Sequence, residues 1–514
     1  MTFSRAAWVF VGLLFAIHLI TGILPVGVAL SQLFLDPGRG LDVLAEASLW
    51  RGFLTSTWIA CATLMVAMPL GIFQAWLFTC TDLPARRLLL SFAPLPLFLP
   101  PLAHVLSWFE IFDLQGFRAI VLVYTISFTP LVTLMTARAL EQMSRVQFET
   151  LRLLGGWLAV LRDQLRQALP AAAIGGALAV VFIFSDFAVA DFLSSVGPKV
   201  TPYGESLYVY YQVGDRAAEA GAALPGLVLM WTLLAWALRR RRELGAAVDA
   251  HYEPAPPLTL GRARIPMMLL ALLLVGAGAA FPLAALAWKA GSVNLIVEQA
   301  RLAEDRIAFT AIAGVLTATV MVFLGLPFAV LATRARRPWR VDLFVLLPLG
   351  VPALLTGVGL IHTWNQRFLE VLCPSYYELF YEGMGIIVVA LAGRYLAFAY
   401  LCCGGAVERL EPGLFETARL GGANSLQRAV RVLVPLCTSA LIAAWCFSFC
   451  FSLRELDTLQ VLSAGQETLP YWLYMNIIFK RDDEVAALAL LLCLLTCLPL
   501  LLSILFARRS MRFL

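Results

Sequence analysis

The stretch FETARLGGANSLQRAVRVLVP, residues 415–435, has a counterpart earlier in the chain, FETLRLLGGWLAVLRDQLRQALP at residues 148–170. Both copies run in the order Phe-Glu-Thr, Arg, Gly-Gly and Pro, and an apolar segment follows each Pro. A polar loop that occurs twice in this order indicates an internal duplication. The rest of the chain can therefore be divided around these two loops.

The composition is that of a membrane protein. Of the 514 residues, 61% are hydrophobic and 14% are charged, and the mean hydropathy is +0.83, whereas soluble domains carry about 25% charged residues. A bilayer-spanning helix needs about 20 apolar residues, so the apolar runs predict an all-α membrane protein with about twelve transmembrane helices. These runs lie near 7–34, 54–79, 88–109, 118–138, 171–193, 222–238, 265–290, 309–332, 341–363, 384–405, 436–456 and 485–506. The first is longer than the core of a signal peptide, so we expect a helix there too.

The twelve runs form two sets of six in the same order. TWIACATLMVAMPLG at 57–71 is similar to VLTATVMVFLGLPFA at 315–329, and each leads into an Arg-bearing turn and a Pro-rich run. We predict a first half over 1–245, with its repeated loop at 139–170, and a second half over 264–514, with its loop at 406–435. A basic and then Pro-rich stretch predicts a linker over 246–263. An even number of helices in each half predicts parallel repeats with a pathway between them.

The net charge of +5 is explained by membrane topology rather than by nucleic acid binding. With the N terminus in the cytoplasm, 25 of the 38 Lys and Arg residues fall on the cytoplasmic side, in agreement with the positive-inside rule. Both termini, the linker and both repeated loops are then predicted to be cytoplasmic.

Each repeated loop is predicted to form a short helix that docks on a partner. Glu149 and Glu416 lie in the first turn, where the helix dipole favours an acid. Each is three residues before an Arg, a spacing that stabilises short helices, and the Gly pair provides the positive φ of a sharp C-terminal turn. The alternative is an interfacial helix lying on lipid, which the recurrence of the pattern disfavours. The candidate docking residues are Phe148, Glu149, Thr150, Gly155, Gly156, Phe415, Glu416, Thr417, Ala418, Gly421 and Gly422.

These residues resemble the permease subunits of bacterial binding-protein-dependent ABC importers, whose EAA loop has the pattern E-A-A, three residues, G, nine residues, I-x-L-P. The second loop matches from Glu416 to Pro435 with the full spacing. The first keeps Glu149, Gly155 and Pro170 but has two extra residues before the Pro. The fused twelve-helix form is similar to the permeases for ferric iron and thiamine. The resemblance implies the type I ABC importer permease fold in a bacterial cytoplasmic (inner) membrane.

The same resemblance implies several partners. Each loop would be a coupling helix seated on one of two copies of an ABC ATPase subunit, which binds ATP and Mg. A periplasmic or lipid-anchored substrate-binding protein would dock from outside. The chain has no GxxxxGK[ST] phosphate loop, and its Lys residues are Lys199, Lys289 and Lys480. We therefore expect a non-catalytic translocation subunit with no cofactor of its own.

Charged residues in the predicted spans are candidates for the substrate pathway, because ionisable groups are costly in a bilayer. The fifth and eleventh runs end in FSDFAVADFLS (184–194) and FSLRELDTLQVL (451–462), which are equivalent in the repeat. The alternative for Arg454 is an Arg–carboxylate pair that fastens the halves, and packing or gating with Tyr395 is favoured for Arg394. The candidate pathway residues are Asp186, Asp191, Arg394, Arg454, Glu455 and Asp457.

Acidic groups facing a pathway suit a cation, and carboxylate oxygens are hard donors that suit Fe(III). Together with the resemblance of the whole chain to ferric iron permeases, these acids make ferric iron the first choice of substrate, with thiamine, a polyamine or an organophosphonate as alternatives. No metal site is predicted within the chain, and His104 and His362 are expected to be packed or hydrogen-bonded. An ion-gradient-driven secondary transporter is a rival that would not need two docking loops. A membrane enzyme would need a clustered catalytic set, which the sequence does not show.

Overall fold

The computed structural model describes the backbone of residues 5–112, 114–245, 253–372, 374–477 and 479–510. These residues form helices and two isolated bridges. The prediction of an all-α protein is therefore confirmed. Residues 246–252 of the predicted linker lie outside the described residues.

Twelve helical segments follow the twelve predicted runs in order. By length and composition, nine of the described helices could cross a membrane, or eleven when each of two sharply bent pairs counts as one span. The twelfth run falls in a helix whose side chains are described only as far as residue 499. The segments are α1 (Val9–Leu35), α2 (Ala47–Cys80), α3 (Arg86–Phe98 and Pro101–Trp108), α4 (Gly116–Leu140), α5 (Arg145–Ser185), α6 (Arg216–Arg242), α7 (Gly261–Ala290), α8 (Glu304–Arg334), α9 (Pro338–Gly350 and Ala353–Trp364), α10 (Met384–Val407), α11 (Ser425–Arg454) and α12 (Asp482–Ser510).

The bends in α3 and α9 have a common cause in the sequence. PLFLP at 96–100 and PLGVP at 348–352 each place two Pro residues around the break, and the two parts of the helix turn by 91° in α3 and 98° in α9. Pro donates no backbone hydrogen bond, so carbonyls near the break lose their helical partners. His104 Nε2 lies 2.9 Å from the Pro96 carbonyl oxygen, and Trp231 Nε1 donates to the Leu347 oxygen at 3.1 Å. Side chains therefore satisfy the broken backbone, and His104 is hydrogen-bonded as expected.

Within each half, three helices form a tight core: α2, α4 and α5 in the first, and α8, α10 and α11 in the second. The close approaches occur at glycine. A Cβ at Gly175 would lie 2.7 Å from the Leu131 oxygen, and one at Gly325 would lie 3.0 Å from the Ala399 backbone. Small residues are common at such contacts because helices in lipid associate by packing rather than by the hydrophobic effect.

The first helix of each half packs across the boundary between the halves. α1 contacts α9 and α10 of the second half, and α7 contacts α3 of the first. Gly393 of α10 and Gly359 of α9 allow this contact, since added Cβ atoms would lie 2.5 Å from the Thr21 oxygen and 2.1 Å from the Pro25 oxygen. The two halves are therefore interlocked by their first helices, an exchange that the repeat alone did not predict.

Residues 253–260 of the predicted linker form a strap across the end of the first half that carries its repeated loop, and the last three residues of that linker, Gly261–Ala263, already belong to α7. Arg145 donates its backbone N–H to the Glu253 oxygen at 2.8 Å, and Leu258 donates to the Cys80 oxygen at 2.7 Å. The Leu258 side chain is buried in a cluster with Met143, Phe148 and Val160. The strap therefore joins the end of α2 to the start of α5.

We expect Leu258→Ala to loosen the start of α5. Truncating a buried Leu to Ala typically costs about 2–5 kcal/mol, and here the cavity would open beside Phe148. Hydrogen exchange of the amides at 145–155 should become faster.

Thr259→Ala is the matched control, because Thr259 is exposed on the same strap. Equal exchange at 145–155 in the two variants would show that the strap does not hold this segment.

Candidate functional site

The first repeated loop forms the opening of α5. Ser144 caps the helix by accepting the Gln147 N–H at 3.2 Å. The helix is interrupted at Gly156, which has φ +66° and ψ −160°. Residues 145–155 are therefore a separate short segment, here called the first coupling helix, and the spanning part of α5 begins at residue 157.

The second coupling helix is Pro412–Leu420. It ends in the Gly pair, of which Gly422 has φ +82°, and Asn424 and Gln427 then form a capping box at the start of α11. Apart from the adjoining residues of the chain, no atom of the described residues lies within 4 Å of a Cβ built at Gly156 or Gly422. Glycine is required there by backbone conformation and not by space, which confirms the predicted positive φ at both turns.

The two loops differ in register. The positive-φ glycine is seven residues after Glu149 in the first loop and six residues after Glu416 in the second. The first coupling helix is thus one residue longer before its turn. One of the two extra residues of the first copy falls before this glycine, and the other falls between it and Pro170.

The two Phe residues of the repeat face the protein. Phe148 is buried against the strap, and Phe415 is half-buried with the Arg334 guanidinium 5.9 Å from its ring centroid. These rings fix the base of each loop, whereas Glu149, Thr150, Glu416 and Thr417 are exposed.

The expected pairing of acids with Arg three residues later is wrong for the first loop. Glu149 accepts from Arg145 Nε at 2.8 Å, one turn earlier, and Arg152 instead lies over the Trp157 ring at 4.6 Å. No ion pair joins Glu416 to Arg419 among the described residues. Both pairs are on the surface, where such contacts contribute little.

The most exposed apolar side chains of the loops were missed by the sequence reasoning. Leu154 and Leu420 each directly precede the Gly pair and are 83% and 89% exposed. Leu153 and Leu426 are also largely exposed. Large apolar side chains exposed at equivalent positions mark an interaction surface. The position of Leu directly before each Gly pair was the available signal.

Five of the six candidate pathway residues line one small central cavity, of about 40 Å³, between the halves: Asp186, Arg394, Arg454, Glu455 and Asp457. The sixth, Asp191, is not among the residues that line it and accepts a hydrogen bond from the Tyr474 hydroxyl. Asp186 and Glu455 are the first non-helical residues after α5 and α11. The helix ends therefore bring these acids together.

Asp186 and Glu455 sit in matching hydrogen-bond arrangements. Tyr124 of α4 donates to Asp186 Oδ1 at 2.8 Å, and Tyr395 of α10 donates to Glu455 Oε2. Each acid also accepts the backbone N–H three residues later, from Val189 at 3.2 Å and from Thr458 at 2.9 Å. The duplication therefore extends to the centre of the molecule, with one tyrosine–carboxylate pair in each half.

The two arginines bind backbone rather than carboxylates. Arg454 donates to the Leu97 oxygen in the bend of α3, and Arg394 donates to the Val351 oxygen in the bend of α9 at 3.1 Å. Arg394 also donates to Ser185 Oγ at 2.6 Å across the two halves. No ion pair of Arg454 occurs among the described residues, so the alternative of an Arg–carboxylate fastener is not what the structure shows.

The cavity carries more acid than base. Three carboxylates and two guanidinium groups line it, and Asp457 Oδ1 is buried without a partner among the described residues. No group of three His, Cys, Asp or Glu side chains that could hold a metal ion occurs in the described part of the chain. Carboxyl groups therefore outnumber guanidinium groups in the lining of this cavity.

Four phenylalanine rings pack beside the cavity. Phe398 and Phe451 stack at 4.2 Å, and Phe182 stacks on both of them at 6.1 and 5.7 Å and on Phe128 at 5.6 Å. The rings come from α4, α5, α10 and α11, and the Arg454 guanidinium lies within 6.0 Å of three of them. This aromatic cluster fills the space where the halves meet.

The comparisons with known proteins agree with one another. Residues 67–239 and 321–512 match the family described as "Binding-protein-dependent transport system inner membrane component", with one match within each predicted half. The maltose/maltodextrin transport system permease protein MalF of Vibrio vulnificus is 26% identical over 30% of this chain and 32% of its own length. The molybdenum transport system permease protein ModB of Escherichia coli is 26% identical over 34% of this chain and 84% of its own length. The sulfate transport system permease protein CysT of Salmonella typhimurium is 30% identical over 31% of this chain and 58% of its own length. The chain thus spans about a third of the length of the maltose relative.

We expect Phe182→Ala to open a leak between the halves. The substitution removes the ring that contacts Phe128, Phe398 and Phe451, so thallium(I) influx into dye-loaded proteoliposomes should rise.

Phe184→Ala is the control for stability. Its ring is also buried but packs on Phe53 and Tyr203 within the first half, and either truncation typically costs about 3–5 kcal/mol. A leak in both variants would indicate general loosening instead of an opened passage.

Proposed function

Because the chain belongs to the family of binding-protein-dependent transport system inner membrane components, we propose that it is a transmembrane permease of an ATP-driven importer. In this proposal both halves of the pathway come from one chain. Two copies of an ABC ATPase bind ATP and Mg and dock on the cytoplasmic loops, and a periplasmic or lipid-anchored binding protein delivers the solute from the other side. The chain itself catalyses no covalent step.

The observation that carries the proposal is the pair of coupling helices. Both present an exposed Leu, an exposed Glu-Thr and a positive-φ turn at the same end of the molecule. An amphipathic helix with such anchors fits a hydrophobic groove on a partner. Two such helices in one chain suit two copies of the same ATPase.

The helices that follow these loops reach the central cavity without a break. α5 continues from residue 157 to Ser185, beside Asp186, and α11 continues to Arg454, beside Glu455. At about 1.5 Å per residue, the spanning part of α5 is about 43 Å long. A displacement of either coupling helix would therefore move the carboxylates and the aromatic cluster directly.

Ferric iron is the substrate that we propose first. Asp186, Glu455 and Asp457 line the cavity with hard oxygen atoms that a passing ion would meet, with no metal-holding group among the described residues, while the two arginines are engaged by the Leu97 and Val351 carbonyls. An oxyanion is the second candidate, since Arg394 and Arg454 line the same cavity and two of the relatives are named for molybdenum and sulfate transport.

We expect Gly422→Ala to uncouple the complex. Left-handed backbone costs a non-glycine residue about 1–2 kcal/mol, so the population of correctly turned loops should fall about tenfold. The measurement is ATPase activity of the permease in lipid discs with the ATPase that co-purifies, with and without loaded binding protein.

Gly421→Ala is the matched control, because its Cβ would meet only ordinary contacts at 3.6 Å and its φ is negative. Stimulation by the binding protein should survive in Gly421→Ala and be lost in Gly422→Ala. If no ATPase co-purifies and uptake follows a proton gradient, the chain is a secondary transporter and the proposal fails.

Replacing the Asp457 carboxyl group should reduce iron uptake. We expect Asp457→Asn to lower uptake of radiolabelled iron about tenfold or more, because an amide replaces a hard oxygen donor at the cavity without breaking a hydrogen bond of Asp457 Oδ1. Asp191→Asn, at an acid outside the cavity, should have a much smaller effect. If the complex takes up molybdate or sulfate and not iron, ferric iron is wrong as the substrate and an oxyanion is the substrate instead.

A further inference from the structure

A second, larger hollow lies away from the central cavity, on the outside of the first half. It has a volume of about 540 Å³ and is formed by α2, the end of α4 and the basic stretch of α5. Pockets of about 300–1,000 Å³ are the usual size for small-molecule ligands. Its lining is almost entirely apolar and includes Met68, Phe73, Trp76, Leu140, Leu165 and Leu169.

The polar atoms in this groove are already satisfied. Gln164 accepts the Trp76 indole N–H at 3.1 Å and directs its amide nitrogen to the Met143 sulfur at 3.9 Å. Among the described residues that line it, the groove therefore offers packing for a hydrocarbon and no free side-chain hydrogen-bonding group.

Two arginines border the groove. Arg162 and Arg166 lie four residues apart, hence on one side of α5, and each directly follows an exposed groove-lining leucine, Leu161 or Leu165. Both arginines are exposed, and no ion pair or hydrogen bond of either guanidinium occurs among the described residues. Asp163, the carboxylate between them, accepts from Gln147 at 2.8 Å and from Gln167 at 2.7 Å, so it is occupied elsewhere.

The groove runs along the helices over a length that suits a single lipid acyl chain. Met68 to Trp76 of α2 and Leu161 to Leu169 of α5 each extend about 12 Å at a rise of about 1.5 Å per residue. That length is close to one leaflet, half of a hydrocarbon core of about 30 Å. The arginine end is next to the coupling helix, where the headgroups of the leaflet lie, and the Met68 end is deeper in the span.

We propose that this groove binds an anionic phospholipid, with one acyl chain along Met68, Phe73 and Leu165 and the phosphate on Arg162 and Arg166. Basic residues beside hydrophobic grooves between spanning helices suit such headgroups, and Arg can reach the interface while its methylene stem stays on apolar surface. The occupied site sits between the first coupling helix and the core of its half. The inference does not depend on the proposed transport function.

The test is native mass spectrometry of the full chain, titrated with phosphatidylglycerol and with phosphatidylcholine of the same acyl chains. In the wild type, phosphatidylglycerol should bind at least about tenfold more tightly. Arg162→Gln with Arg166→Gln should remove this preference. Arg336→Gln with Arg337→Gln, a pair exposed on the second half, makes the same change of charge and should leave the preference intact.

A groove-filling variant separates a lipid from a simple anion. Leu165 is half exposed, so Leu165→Trp can fill the groove without disturbing the buried core, and it should weaken binding of both lipids. Glycerol phosphate, which lacks acyl chains, should not compete. Equal phosphatidylglycerol binding in Arg162→Gln with Arg166→Gln, equal loss in the Arg336 and Arg337 control, or full competition by glycerol phosphate would each overturn the proposal.

Discussion

Backbone groups that leave helical geometry inside a bilayer must find partners within the protein, and the centre of this molecule is organised by that requirement. The bends of α3 and α9 release carbonyls, and Arg454 and Arg394 bind them. The second part of α9 starts with the Ala353 N–H donated to Ser185 Oγ at 2.9 Å, a contact between the halves. The two buried arginines therefore offset the cost of burying their charge by hydrogen-bonding backbone carbonyls that the bends leave without helical partners. The same positions place both arginines in the lining of the central cavity.

The centre is symmetric in its acids and asymmetric in its bases. Each half contributes one tyrosine–carboxylate pair, from Tyr124 and Asp186 or from Tyr395 and Glu455. Both arginines come from the second half, where each directly precedes a member of the tyrosine–carboxylate pair. The residues that precede Tyr124 and Asp186 in the first half are Val123 and Ser185. A fused chain allows this divergence, because the two halves need not remain identical. The proposal of a cationic solute is based on the resulting excess of carboxyl groups over guanidinium groups.

The halves also differ at the end that carries the coupling helices. The strap at 253–260 covers Phe148 and ties the first coupling helix to α2, and the lipid groove lies beside the same segment. Phe415 has instead a contact with Arg334. The first coupling helix is therefore the more firmly held of the two, and its turn is one residue later.

The sequence by itself determined the features that depend on local pattern. Run length and hydropathy located the spans, the duplication located both loops, the Gly pairs located the positive-φ turns, and the Pro pairs located the bends. Tertiary structure alone decided the rest, because it depends on contacts between residues far apart in the chain. Examples are the exchange of α1 and α7 between the halves, the inward packing of Phe148, and the aromatic cluster around Phe182.

The sequence marked Asp186 and Asp191 equally, yet of these two only Asp186 lines the cavity. The helix breaks directly before Asp186, whereas Asp191 lies one turn farther along the next helix. Local periodicity depends on residues that are close in sequence, whereas the partner of a buried charge depends on which helices pack together.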